Sequence, residues 1–557
     1  MGGNWDGSTR IGLHSPPGLP DFLRPFADLF YRAEGRWAMN RYVVGLMAPI
    51  KRKNCEQIAA AVADITAERL QALLTDIPWD YTQMDRLRVS LLMERASVGD
   101  GVLVFDDTGI PKQGNASVGV ARQYSGTLGK VGNCQISVTC RYADPSYTWP
   151  VAGRLYLPEA WTKDEARCAK ARVPEGVKFQ TKVQIALALL DQANAWGIPH
   201  KAVTADSGYG DNPNFLAGLE ARGEHYVVAV ARDFTVRLPA ELAKARQDAE
   251  QATRAELETS SLSGCEAATA ESGGSDGEGA AVVATAKPKR RGRHPKPALV
   301  LSPEERAPLR KAFQLTEARP REAWVAITYR EGAKGPITKE FTALRACRAL
   351  KGGANGEGAY TGAEGWLIGE RPLAGHAGEA KWYYSDFPPE AQLPRMVEIG
   401  HRREPIERGY RVGKDGLGLD EAEVRLWHSF HRHQALVMLA ESWLVLQRQW
   451  HQPVPAPMPE AALTQEAATV QAAEATAPSD ETAPGTAVST PATPTSRPVP
   501  SPPHGVNWRD LTGGASPHER VVLHQLCPMA GGYQPNRAST CSTAPAIRHA
   551  LTIYLTE

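Results

Sequence analysis

Between residues 99 and 231, short apolar runs alternate with stretches of helical period, and this rhythm narrows the possible folds most. Runs of strand length lie at 102–105, 135–142, 151–157, 202–205 and 226–230. Helical periodicity fills 178–196, where Gly197 terminates it, and again about 212–222. Strands separated by crossover helices predict an α/β sheet. Two of the runs end in acids: 102–105 in Asp106-Asp107 and 202–205 in Asp206. Open α/β sheets place their chemistry beyond the carboxyl ends of strands, so these acids are the first candidates for a site.

The flanking zones differ. Residues 20–98 read as helices, with Asn54 capping one that carries Ile58, Val62 and Ile65, and Thr66 capping one that carries Leu70, Leu73 and Leu74. Two short helices behind Lys51-Arg52-Lys53 have the outline of a helix-turn-helix, although an ordinary helical subdomain is the plainer reading. Residues 259–286 are low in complexity, and 287–296 carry Lys287, Lys289, Arg290, Arg291, Arg293 and Lys296. A flexible insert with a basic arm is predicted there. The Arg291-Gly292-Arg293 core resembles a minor-groove hook; a solvated linker with unspecific phosphate affinity fits equally well. Strand-like text returns at 324–329 and 381–384, helices at 396–450, and a Pro/Ala/Thr tail expected to be disordered at 452–505.

At 557 residues the chain exceeds what one core usually organises. The division read from it is a helical, DNA-binding candidate at 1–98 and a first core segment at 99–231. An insertion follows at 232–395 with its flexible basic part at 259–297, then a helical second core segment at 396–451, then a tail with an unclassified end at 452–557. The net charge of +1 carries no information about partners. The eight cysteines form no CxxC pair, which argues against a disulfide framework or zinc knuckle and fits a reducing cytoplasm. No apolar run approaches the ~20 residues of a spanning helix, and Glu441 interrupts the greasiest one, 435–446. No signal pattern opens the chain, so a soluble protein is expected.

A third acidic candidate is Glu407, with Arg403 four residues before it and Lys414 seven after. At about 100° per residue the three fall within about 40° on one helical face, provided Pro405 occupies the first turn. Carboxylates from two strands and a helix can hold two divalent ions ~3.5–4 Å apart for in-line phosphoryl displacement. Mg²⁺ suits such a hard, carboxylate-plus-water site, and Arg403 and Lys414 would contact phosphate. The bland alternative is a pair of strand-end caps and a solvated ion-pair stripe. His428, His431 and His433 scatter around a helix and read as core and surface residues rather than zinc ligands. Gly126-x2-Gly129-Lys130 lacks the spacing of a phosphate loop. Trp324, Trp366 and Trp382 read as core.

Three stretches resemble the bacterial insertion-sequence transposases of the DDE superfamily, in the branch whose third motif is Tyr-x2-Arg-x3-Glu-x6-Lys. Residues 106–112 (Asp-Asp-Thr-Gly-Ile-Pro-Lys) resemble the first motif, and 117–135 is the most specific match. Ala205-Asp206-Ser207-Gly208-Tyr209-Gly210 resembles the second. Arg403-x3-Glu407-x6-Lys414, followed by Gly418-Leu419 and Glu423-Val424-Arg425-x-Trp427, resembles the third. The likeness covers residues 20–450. It implies an RNase H-like catalytic core interrupted by a β-rich insertion, for which the roughly 200 residues between Asp206 and Glu407 leave room. It implies Asp106, Asp206 and Glu407 as catalytic metal ligands for two Mg²⁺ or Mn²⁺ ions. The activity implied is cutting of transposon ends and joining of the freed 3′-OH to target DNA, by a homo-oligomer in the cytoplasm, at the nucleoid. Where the family has its Tyr this chain has Gly400, and where Trp is frequent it has Glu404. A catalytically impaired, transposase-derived DNA-binding protein and a carboxylate-pair hydrolase using Asp106 and Asp206 are the rival readings.

Overall fold

The computed structural model describes residues 13–95, 100–266, 307–332, 335–350 and 360–451. The basic arm 287–296, with Arg290, Arg291 and Arg293, and the tail from 452 lie outside the described residues, as does the unclassified end. The fold is mixed α/β, as expected. Among the described residues no helix is long and apolar enough to cross a membrane.

The first sheet is organised by β1 (Val102–Pro111), which pairs antiparallel with β3 (Lys130–Ala143) and parallel with β5 (Ala202–Ala205). The strands β2 (Ala121–Ser125) and β4 (Thr148–Leu155) both pair with β3. Val102–Phe105 and all of β5 are buried, which is why, Thr204 apart, they read as continuous apolar runs rather than alternating ones. The helix Lys182–Ala195 covers this sheet with Val183, Ala186, Leu189, Leu190 and Ala193. It starts four residues later than its periodicity suggested, because Thr181 and Gln184 form a capping box there. It ends as expected before Gly197, whose φ of +71° only glycine adopts freely.

One expectation needs correcting here. β1 does not end at Phe105. It continues through Asp106 and Asp107 to Pro111, because β3 supplies an antiparallel partner over its whole length. Only the parallel pairing stops at Phe105, opposite Ala205.

A second sheet follows the order β6-β12-β11-β10-β7-β8, with β9 also on β10. Its members are β6 (Val227–Val230), β7 (Thr235–Arg237), β8 (Arg310–Lys311), β9 (Val325–Gly332), β10 (Gly335–Leu350), β11 (Tyr360–Arg371) and β12 (Lys381–Ser385). Most of it comes from the predicted insertion, yet its edge strand β6 does not. Tyr226, just before β6, bridges in parallel to Val203 of β5. Val102, Ala202 and Val227 share one apolar cluster with Ile327, Phe341, Ile368 and Tyr383. The two sheets are therefore joined by backbone pairing and by packing. The flexible insert expected from residue 259 begins inside a helix, Pro239–Glu266, whose Ala, Glu, Lys, Gln and Arg favour that state; the rest of 259–297 lies outside the described residues.

The N-terminal helices do not stand apart. Asn54 and Thr66 cap Cys55–Ala61 and Ala67–Thr75 as read from sequence. Their buried Ile58, Leu70, Leu73 and Leu74 belong to the same apolar cluster as Phe105, Val138, Trp149 and Leu436. Lys53 is buried, its backbone amide donating to Glu421 and its ammonium to the Ala48 carbonyl. That favours the plain helical subdomain over a helix-turn-helix led by a basic patch.

The long helix Trp427–His451 runs through this core. Glu441, the acid that interrupts its apolar stretch, forms a buried ion pair with Arg141 of β3. The Arg141 guanidinium also lies where a side chain at Gly409 would have to go. His428, His431 and His433 each turn to a different partner, respectively the Thr75 carbonyl, the Trp427 carbonyl and the Tyr42 hydroxyl. Burial lowers His431 to about 3 and His433 to about 4, so both are neutral core residues, as read from their scatter.

Removing one partner of a buried ion pair costs about 3–5 kcal/mol, because the other charge stays behind unsolvated. Glu441→Ala should therefore move the urea midpoint of the full chain sharply down, and Glu441→Gln less so. A midpoint equal to the parent's would show that β3 and the long helix hold together without the pair.

Candidate active site

Asp106 and Asp206 are brought together by the parallel register of β1 and β5. Phe105 stands opposite Ala205, so the next residue of each strand is an aspartate. β1 carries on beyond that point, while β5 stops and Asp206 caps the short helix Ser207–Gly210, accepting the Tyr209 amide. Burial pushes the Asp106 carboxyl up to about 7, against the pull of the Arg403 guanidinium and with the repulsion of Asp206 adding to the rise. Burial raises Asp206 as well. Arg403 lies 3.4 Å from Asp106 and is the cation that acts most on both carboxylates.

Asp107 is ion-paired with Lys182 at 2.8 Å. Lys182 stands at the start of its helix, 75 residues away in sequence, and nothing in the text of the chain announces the contact. Two tyrosines complete the surroundings, and sequence reasoning assigned a role to neither. Tyr410 hydrogen-bonds Thr139, whose hydroxyl also reaches the Asp106 carbonyl. The Tyr209 hydroxyl is buried without a hydrogen-bond partner, in the field of Asp106, Asp107 and Asp206. Tyr410 could have been suspected from its place three residues after Glu407, on the same helical face.

The third motif is less regular than one helical face. Glu404 and Pro405 begin a helix, Pro405–Arg411, with Pro in its first turn as required. Arg403 precedes that helix, and Lys414 follows it in a π-helical segment, Val412–Gly416. The change of winding separates the three side chains. Arg403 turns to Asp106, Glu407 is exposed, and Lys414 donates to the Gly109 carbonyl and the Thr127 hydroxyl at 3.0 and 2.6 Å. Burial lowers Lys414 from the ordinary lysine value. Among the described residues no three His, Cys, Asp or Glu side chains are close enough to hold a metal ion. The structure thus unites Asp106, Asp206 and Arg403, and does not bring Glu407 onto the pair.

The segment leading into this motif is anchored to the second sheet. His401 lies 3.0 Å from Glu370 of β11 and 3.1 Å from Glu404, and stacks on Tyr329 of β9. Glu370 is also bound by Lys339 and the Tyr383 hydroxyl, and Glu404 by Arg330. Burial works against charge on His401 but is outweighed by the two glutamates, so its pKa is raised. Burial of Glu370 is likewise overcome, and its pKa falls to about 2. The three tryptophans of the insertion are committed internally. Trp382 donates to Thr316, Trp366 donates to the Pro388 carbonyl and stacks under Arg345, and Trp324 stacks under Arg371.

Two carboxylates where the parallel pairing of β1 and β5 ends and an arginine from a late helical motif, with the second sheet lying between them in sequence, follow the order of motifs that the resemblance to the DDE transposases implies. Comparison with known proteins agrees. Residues 25–259 match the DDE superfamily endonucleases, and residues 180–441 match the transposase DDE domain. Over 221 residues the chain is 31% identical to a probable transposase for insertion sequence element IS701 from Microchaete diplosiphon. That alignment covers 40% of this chain and spans about half, 55%, of the relative's length. The two matches together run from residue 25 to residue 441, and over them the chain is similar to the DDE transposases of insertion sequences.

The His401 link has a definite pH signature. Its contribution to stability is full below the ordinary histidine value near about 6.5 and is lost as pH rises through the higher value in the folded protein. His401→Gln should therefore lower the urea midpoint more at pH 6 than at pH 9. Equal loss at both pH values would mean that the ring, and not its charge, holds the segment.

Proposed function

We propose that the chain cuts the ends of its own element and joins the freed 3′-OH to target DNA, using Asp106, Asp206 and Glu407 as the catalytic carboxylates. The observation that carries this is the pair Asp106 and Asp206, each the residue that follows the last parallel pairing of β1 and β5, with Arg403 3.4 Å from Asp106. The first sheet reads as an RNase H-like core: β4-β3-β1 is an antiparallel meander, β5 lies parallel to β1, and the chain at Tyr226 continues parallel to β5.

The residues fit a divalent cation. Two half-buried carboxylates share the field of one guanidinium, which leaves negative charge without a counterion in a site made of hard oxygen donors. Asp106 and Asp206 would hold Mg²⁺ or Mn²⁺, two ions in the family's pattern, and Glu407 would complete the set. The assignment of Glu407 rests on its motif and on its place one turn beyond Arg403. Bound there, divalent ions polarise the phosphoryl oxygens and stabilise the attacking and leaving oxygens. Arg403, already turned into the site, orients a non-bridging phosphate oxygen. Lys182 holds Asp107, and Thr139 with Tyr410 fixes the backbone at Asp106. Lys414 positions the turn after β2 through two hydrogen bonds and has one ammonium proton left for phosphate. The substrates proposed are terminal repeats and target DNA, bound by a homo-oligomer at the nucleoid.

Replacing Asp106, Asp206 or Glu407 with Ala should lower end cleavage about 10³-fold or more while DNA binding persists. Mn²⁺ should raise the melting temperature of the parent chain and not that of Asp106→Ala or Asp206→Ala. Cleavage that survives chelation of all divalent ions would favour the carboxylate-pair hydrolase. An intact Mn²⁺ response without any cleavage would favour the catalytically impaired protein.

For the basic arm 287–296, neutralising its six Lys and Arg, with Arg290, Arg291 and Arg293 among them, should weaken DNA binding at low salt and flatten its salt dependence. Cleavage of DNA already held by the core should survive. A larger loss on AT-rich than on GC-rich duplex would identify a minor-groove hook, and equal loss an electrostatic tether.

A further inference from the structure

From Thr108 to Ala143 the chain contains no Asp or Glu, although it starts beside the catalytic carboxylates. Of the cations in that stretch, Lys112 and Arg141 are committed, to carbonyls at Asp420 and Ala422 and to Glu441. Arg122 and Lys130 are exposed on the β2–β3 hairpin, and neither forms an ion pair among the described residues. Between them the hairpin displays apolar surface. Tyr124 is 63% exposed and stands directly across from Val131, itself 51% exposed. Tyr124 shares a strand face with Arg122, two residues earlier.

This hairpin is pinned to the site. The Thr127 hydroxyl donates to the Gly109 carbonyl at 2.9 Å, and Lys414 donates to both groups. Ser125 is buried so close to Gly109 that a Cβ there would meet its hydroxyl. Gly109 is three residues from Asp106 along β1, about 10 Å, or about three base steps of a duplex. An aromatic ring on a pinned hairpin, flanked by cations along an acid-free stretch of chain, suits a polyanion whose bases have flat faces: phosphate takes the charges and a base takes the ring. The insertion's tryptophans, bound up internally, do not offer such a face.

We propose that the β2–β3 hairpin is a DNA-end contact in which Tyr124 stacks on a base within a few nucleotides of the cut while Arg122 and Lys130 hold the flanking phosphates. It rests on the transposase reading for the identity of the substrate, but not on cleavage. Tyr124 is thus a binding residue, absent from the three acidic motifs.

The test uses the full chain carrying Asp106→Asn, so that DNA is bound and not consumed. The probe is a duplex with the element's terminal repeat and 5-iododeoxyuridine at each of the last few positions. Ultraviolet crosslinking should attach the DNA to the peptide containing Tyr124, and the adduct should vanish in Tyr124→Ala. In the active chain, Tyr124→Ala should cut paired ends about tenfold more slowly and recover on ends whose terminal pairs are mismatched, whereas Tyr124→Phe should behave as the parent. Crosslinking at Tyr124 by a parent chain that never cuts would uphold the contact and sink the catalytic reading alone. No crosslink near Tyr124, with unchanged cutting by Tyr124→Ala, would overturn the proposal. So would a Tyr124→Ala chain that changes oligomeric state without DNA, since the face would then belong to a second copy.

Discussion

Two half-buried carboxylates, side by side where the parallel pairing of β1 and β5 ends, are the constraint around which the rest of the molecule is arranged. Like charges at that spacing oppose folding, and one guanidinium offsets only part of the repulsion. The surrounding structure has to over-determine the arrangement. β1 stays paired with β3 through both of its aspartates, Thr139 ties its backbone to Tyr410, and Arg403 arrives on a segment clamped by Glu370, His401 and Glu404. A site built this way is poor in stability and rich in preorganisation, which electrostatic catalysis requires.

Much of this was legible because local chemistry and global fold agree. The run at 202–205 is the strand β5 to the residue, since Ala202, Val203 and Ala205 suit a strand buried on both faces. Asn54, Thr66 and Gly197 mark helix ends by side-chain or backbone properties that act within a few residues. Glu441 is an instructive case: as text it only interrupts a greasy stretch, and its reason, Arg141, lies 300 residues upstream.

What stayed hidden depends on distant partners or altered winding. β1 continues past Asp107 because β3 is there to receive it, and no property of residues 106–111 alone says so. Lys182 meets Asp107 through the docking of a helix on a sheet. The face shared by Arg403, Glu407 and Lys414 assumed one uninterrupted α-helix. The π-helical segment that contains Lys414 turns it to the hairpin. The membership of β6 in the second sheet was equally beyond reach, because it is fixed by β12, some 150 residues later.

That last feature bears on how such chains diversify. An inserted domain joined only at two loop ends can be traded between relatives like a cassette. Here the border runs along a strand: β6 pairs with β12 on one side, and the residue before it bridges to β5 on the other. The glutamates that clamp His401 come one from each side of the same border. Any exchange of the insertion must carry β6, its register and the partner of His401 with it, so core and insertion are bound to evolve as one inheritance.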